Sequence, residues 1–192
     1  MHEILRVRHH SERLRFESGL YYYNLSNYIY TAFTGAIDPG SHLPVVNYAQ
    51  GSSRYRGVEA SLETRVLPVL WLSGKFDYVR AELTDQNKPL PRIPPARGTL
   101  ALDWRYKSFS ARPEMILVNR QTRIFDNETP TAGYALFNLN ASYTFVTKRV
   151  SHIISLNGYN LGNKLYRNHL SFIKEIAPEA GRTLRANYAV RF

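Results

Sequence analysis

Apolar and polar residues alternate with a period of two along most of this chain. Leu184, Ala186, Tyr188, Val190 and Phe192 alternate with Thr183, Arg185, Asn187, Ala189 and Arg191. Leu100, Leu102, Trp104 and Tyr106 alternate with Ala101, Asp103, Arg105 and Lys107, and Ala135 through Phe145 repeats the pattern against Leu136, Asn138, Asn140, Ser142 and Thr144. Such spacing puts one set of side chains on each face of a β-strand. It predicts an all-β antiparallel meander of about nine strands, near residues 3–8, 12–33, 45–66, 69–84, 96–107, 109–122, 133–147, 150–160 and 182–192.

The connections fall into two alternating classes. Those at His9–Ser11, Leu67–Pro68, Lys107–Ser108 and Lys148–Arg149 are tight, whereas 34–44, 85–95, 123–132 and 161–181 are long and rich in Pro, Gly, Asp and Asn. Short turns at one rim and long loops at the other, joined by long strands, are the layout of a transmembrane β-barrel. The polar face carries both signs of charge in mid-strand, as at Arg13, Arg15, Glu17, Glu59, Glu63, Lys75, Asp77, Arg112 and Glu114. A wet or plugged lumen accommodates these and a packed core does not. Tyr21, Tyr22, Tyr23, Tyr28 and Tyr30 gather toward strand ends, where an aromatic girdle at the lipid headgroups would hold them. A soluble sandwich with one solvated face is the competing reading, disfavoured by strand length and loop asymmetry.

Composition narrows the classes further. Aromatics make up 13% of the 192 residues, too many for a disordered chain. The longest apolar run, Val66 to Leu72, is far too short for a spanning helix. With no cysteine there is no disulfide framework and no thiolate site. The opening MHEILRVRHH lacks the apolar stretch of a secretory signal. The formal charge of +10 raises nucleic acid as a partner, but the basic residues are scattered through alternating positions. A lumen, a short-turn rim and loops facing anionic lipopolysaccharide account for them, so no nucleic acid partner is expected.

The segment IISLNGYNLGNKLYRNHLSFIKEIAPEAGRTLRANYAVRF resembles the carboxyl end of a TonB-dependent outer-membrane receptor. The features are a strand ending in NLGNKLYRNH, a loop closing with APEAGR, and an alternating strand whose final residue is Phe192. RYRGVEASLE and YYYNLSNYIYTAFTG resemble the strands flanking an outer loop of the same receptors. The resemblance implies a bacterial outer-membrane location and import of a scarce nutrient, driven by the TonB complex acting through a plug. It implies that Phe192, with Tyr188 and Val190, forms part of the signal read by the barrel assembly machinery. It also implies short turns on the periplasmic side and long loops outside. Such receptors close 22 strands, which at roughly 21 residues per strand would need on the order of 460 residues. The expectation is therefore a partial segment of a 22-stranded barrel: residues 1–192 as its C-terminal portion, without plug or N-terminal strands, and not competent for transport alone.

A ligand site would be built from the long loops, whose candidates are Asp38, His42, Asp126, Glu128, Arg167 and His169, with Asp85, Arg92 and Lys174 beside them. Carboxylates and imidazoles suit a metal or metal chelate. The C-terminal loop is similar to those of zinc- or haem-uptake receptors, although no two histidines have a spacing that fixes a site. The alternative for these residues is ordinary loop solvation. His9 and His10 point to opposite strand faces and are poorly placed to share an ion, and His152 reads as structural. No resident cofactor is expected. An enzyme is disfavoured, since the chain has no G-x-S-x-G, no H-E-x-x-H and no G-x-x-x-x-G-K. A complete small barrel acting as a pore or as a lipid or peptide hydrolase is the second architecture, and a soluble β-sandwich binding module the third.

Overall fold

A computed structural model describes residues 2–192. The strands are β1 (His2–His10), β2 (Leu14–Ile37), β3 (Pro44–Leu67), β4 (Leu70–Leu83), the two-residue β5 (Lys88–Pro89), β6 (Arg97–Tyr106), β7 (Phe109–Val118), β8 (Tyr134–Thr147), β9 (Val150–Tyr159) and β10 (Thr183–Arg191). All pair antiparallel in one sheet, ordered β1-β2-β3-β4-β6-β7-β8-β9-β10, with β5 beside β4. Nine long strands are thus present as expected, plus one short strand inside the loop that follows β4. Strands β1 and β10 do not pair with each other. The sheet is therefore open, neither a closed small barrel nor a two-sheet sandwich.

Cross-strand register fixes the two faces. Phe16 lies opposite Leu62, Leu72 opposite Leu102, Trp104 opposite Ala111, and Tyr143 opposite Ile154, so one face is apolar over most of its height. The other face carries ion pairs: Arg8 with Glu17 at 2.7 Å, Arg15 with Glu63 at 3.4 Å, Arg97 with Asp77 at 3.1 Å, and Arg112 with Asp103. An apolar outside and a charged inside are what a membrane barrel wall requires. His9 opposite Phe16 and His10 opposite Arg15 do fall on opposite faces. His152 lies on the apolar face, stacked on Phe145 at 4.8 Å, with Nδ1 2.6 Å from the Tyr188 hydroxyl.

Three local expectations change. The segment 34–44 is not a long loop: β2 and β3 continue as a ribbon to Ile37 and Pro44, leaving a six-residue tip at 38–43. Strand β7 stops at Val118 rather than 122, because its partner β6 begins at Arg97 and offers no ladder beyond. The tyrosine group is not one girdle. Tyr22 faces the apolar side, whereas Tyr21 and Tyr23 stack on each other on the polar side at 5.5 Å. A bulge between Leu25 and Tyr28, where Asn27 has φ 56°, then shifts the alternation, so Tyr28 and Tyr30 turn to the polar side as well. Gly57 sits opposite Tyr21 because a Cβ there would lie 2.3 Å from the phenol ring.

The tight hairpin between β8 and β9 uses left-handed backbone. Lys148 and Arg149 have φ of 51° and 83°, the pairing of a two-residue turn whose twist suits the strands it joins.

Candidate functional site

At the long-loop rim, connections 84–96, 119–133 and 160–182 fold onto one another on the polar side of the sheet. Their anchor is a small core of Tyr30, Ala81, Leu83, Leu90 and Phe125, with Leu83 fully buried. Tyr30 meets Phe125 edge-on at 5.7 Å, and its hydroxyl accepts a bond from Gln86 at 2.8 Å.

A polar net spans the three connections above this core. Glu128 accepts the backbone N–H of Arg92 at 2.7 Å and that of Phe125 at 2.9 Å, so one carboxylate ties two loops. Asp126 pairs with Lys88 at 2.6 Å. Arg92 donates to the Leu170 carbonyl at 3.2 Å and lies over the Phe172 ring. Lys174, 8% exposed, spends its ammonium donors on the Thr129 carbonyl at 2.6 Å, the Thr129 hydroxyl at 2.7 Å and the Thr131 hydroxyl at 3.0 Å. Arg167 donates to the Lys174 carbonyl. Glu175 is held below the usual carboxylate range by the Thr129 hydroxyl first and by Lys174 second.

His169 is 4% exposed, with Nδ1 2.9 Å from the Thr131 hydroxyl. Because that hydroxyl accepts from Lys174, its own proton is free to point at Nδ1. The oxygen also keeps a lone pair that can accept from an Nδ1–H, so the direction of this bond follows the imidazole tautomer. Nε2 itself is buried and has no partner among the described residues. Burial holds the imidazole below its ordinary value; Glu128 opposes this, and Lys174 and Arg92 reinforce it.

Beneath the net lies a cavity of about 220 Å³ bordered by Asp77, Arg97, Tyr134, Arg167 and His169. A neighbouring cavity of about 360 Å³ is lined by Tyr134, Lys164, Tyr166, Arg167 and Glu175. Further down the polar face a groove of about 560 Å³ runs past Arg6, Glu17, Tyr21, Glu59 and Lys75. The Asp77–Arg97 pair borders both this groove and the upper cavity. The fold therefore brings Asp126, Glu128, Arg167 and His169 into one cluster. Asp38 and His42 stand apart at the ribbon tip, where their hydrogen bonds remain inside the turn: Asp38 accepts from the Ser41 N–H at 2.7 Å and hydroxyl at 2.6 Å, which keeps its carboxyl low. No group of three or more His, Asp or Glu that could hold a metal ion occurs among the described residues. Thr129, Thr131 and Arg97 were not foreseen as members of the site, and no spacing in the sequence marks them.

The profile of the family described as TonB dependent receptor-like, beta-barrel matches residues 5–161. The chain belongs to that family. TonB-dependent receptors of this kind are proteins of the bacterial outer membrane, and they are transport receptors rather than enzymes. Solved structures agree on the fold. The copper transporter OprC superposes with a TM-score of 0.84 at 20% identity, over 98% of this chain and 30% of that one. BauA, the ferric preacinetobactin receptor of Acinetobacter baumannii, gives 0.75 at 19% identity over 98% and 29%, and the ferric citrate transporter FecA gives 0.75 at 20% over 98% and 30%. The chain thus spans about 30% of the length of each of these receptors. No curated protein sequence matches at a significant level.

Proposed function

We propose that this chain supplies a contiguous run of wall strands and the folded loops above them in an outer-membrane receptor that imports a scarce nutrient, a metal or metal chelate, using TonB-transmitted energy. The observation that carries this reading is the loop cluster itself: three connections knitted over the polar face, enclosing a cavity bordered by Arg97, Arg167 and His169. A solvated loop has no need of a lysine buried with three bonds. The three compared receptors carry copper, ferric preacinetobactin and ferric citrate in their names, which supports the metal preference. With no three-donor cluster of its own among the described residues, this cluster suits contacts to the oxygens of a chelate better than ligation of a bare ion.

In the same reading, residues 1–192 are the C-terminal portion of the barrel, and both open edges pair with strands outside this chain. Phe192 and Tyr188, both exposed on the edge strand or just past it, with Val190 beside them, serve the assembly machinery. The TonB complex acts through a plug that this segment does not include, and lipopolysaccharide surrounds the outer half of the wall. The test is uptake of radiolabelled ferric citrate and of copper(II) by cells dependent on a receptor carrying these residues. Arg167→Ala with His169→Ala is expected to lower uptake of one probe by about tenfold, the worth of a lost charged hydrogen bond. Equal uptake by variant and parent, or none above cells lacking the protein, overturns the metal reading. Cells producing only these 192 residues are expected to import neither probe, and robust import would sink the segment reading.

A further inference from the structure

The apolar face changes character abruptly on three adjacent strands. Outward positions of β4 run Leu70, Leu72, Gly74, Phe76 and Tyr78, then turn to Arg80 and Glu82. On β3 the outward column runs Val66, Thr64, Leu62, Ala60 and Val58, then Arg56 and Arg54. On β2 it runs through Leu20 and Tyr22 to Asn24. Register puts the changeover on one level: Tyr22, Arg56 and Arg80 form one cross-strand row, and Asn24, Arg54 and Glu82 the next. The eight steps from Leu70 to Tyr78, at about 3.4 Å each and tilted by about 40°, climb roughly 21 Å. That is most of the apolar band of a membrane barrel, about 25 Å tall. The arginines therefore begin where the acyl chains end, just above the Tyr78 ring and level with Tyr22, on the long-loop side.

Four guanidiniums surround one carboxylate there. Glu82 is approached by Arg80 at 3.2 Å, Arg123 at 3.3 Å, Arg56 at 3.6 Å and Arg54 at 3.9 Å. Arg54 also donates to Asn24 at 3.3 Å. The Glu82 side chain is 13% exposed, whereas each of the four arginine side chains is more than a third exposed. The carboxylate is thus saturated and three positive charges remain unbalanced, with donor edges open to the surroundings. The other acid of these rows, Glu3, stands beyond Tyr22, about two strand spacings or roughly 10 Å from Arg56. Like charges at this spacing repel, and a tetrahedral dianion accepting several forked guanidiniums relieves that repulsion.

We propose that Arg54, Arg56, Arg80 and Arg123 form a binding site for the phosphate group of a lipid in the outer leaflet of the membrane. Charge complementarity and height on the wall both select this occupant: a phosphorylated headgroup sits at the top of the acyl layer, where these four side chains lie, and an anionic surface attracts each nearby arginine. Glu82 positions the guanidiniums at one centre and leaves their outer edges free for the phosphate. The site rests on the outer-membrane placement and is independent of which nutrient the receptor imports, so it stands or falls apart from the metal reading.

The experiment counts lipid retained by the barrel carrying these residues after extraction from outer membranes in mild detergent, by native mass spectrometry. Arg56→Gln with Arg80→Gln is expected to reduce bound phosphorylated lipid by roughly fivefold for each arginine removed, while retention of the dephosphorylated lipid stays the same. Arg15→Gln, on the opposite face beside Glu63, is expected to change neither. If the glutamine pair fails to insert, Arg56→Lys with Arg80→Lys reads the same effect at smaller amplitude, because charge is kept and the forked geometry lost. Unchanged retention in an inserted variant overturns the site. So does equal loss of dephosphorylated lipid, and so does displacement of the lipid by millimolar inorganic phosphate, which would mark a free-anion site instead.

Discussion

The wall and the loop cluster are held together by different physics. In the wall from β6 to β9, outward side chains such as Leu102, Tyr143 and Leu156 stay exposed, and cohesion comes from the antiparallel ladder and from lipid solvating the apolar face. In the loop cluster, Leu83 and Leu90 are almost fully buried and behave as core residues do in a soluble protein. One chain thus solves two solvent problems. Below, apolar surface is presented to the solvent; above, it is hidden from it.

The largest expected break in that contrast is Leu83→Ala against Leu102→Ala. Emptying the Leu83 site removes packing from Tyr30, Leu90 and Phe125 and is expected to cost about 2–5 kcal/mol of local stability. Trimming Leu102, which faces lipid, leaves no protein cavity. Limited proteolysis of residues 84–96 and 119–133 reads the difference, and equal sensitivity in the two variants would refute the contrast. A somewhat smaller break comes from adjacent residues in β9. Leu156 faces outward opposite Ala141, and Ser155 inward opposite Ser142. Leu156→Arg is expected to destabilise by roughly 2–4 kcal/mol if it sits near the bilayer midplane, and Ser155→Arg by far less, measured by refolding into bilayers. Equal costs would mean that the faces are assigned the wrong way round.

The wall was legible in the sequence and the loop cluster was not. Period-two alternation is a local signal, so Leu100–Tyr106 and Ala135–Phe145 announce both their strands and their faces. Where alternation breaks, the reading failed: the bulge after Leu25 sends Tyr28 and Tyr30 inward, away from the expected girdle. Strand length and loop asymmetry supplied the membrane setting, and the family resemblance supplied the expectation of an open edge at each end. The cluster joins Arg92 to Glu128, Arg92 to Leu170, and Lys174 to Thr129, across separations of 36, 78 and 45 residues. No period connects such positions. Asp126, Glu128, Arg167 and His169 were named from residue type alone, and their meeting depends on how three loops pack.

The subtlest difference between wall and cluster lies in pH. His169 is buried against Thr131, Lys174 and Arg92, Glu128 favours its protonation, and burial sets it below the ordinary value of 6.5. The unfolded loop therefore binds a proton at a higher pH than the folded one does. In the window just below 6.5 the open state carries more protons, so acid favours opening and the cluster gains stability as pH rises to neutrality. The wall has no such buried imidazole: His152 is on the lipid face, bonded to Tyr188. Hydrogen exchange across 119–133 and 160–182, corrected for intrinsic rates, is expected to quicken between pH 7 and 5 while the β6–β9 ladder stays constant. His169→Gln keeps an acceptor for the Thr131 hydroxyl and removes the titrating ring, so its profile is expected to flatten. If the glutamine variant opens with the same pH dependence as the parent, another group carries the titration, and the Lys174–Thr131–His169 chain is a scaffold without a proton-linked role.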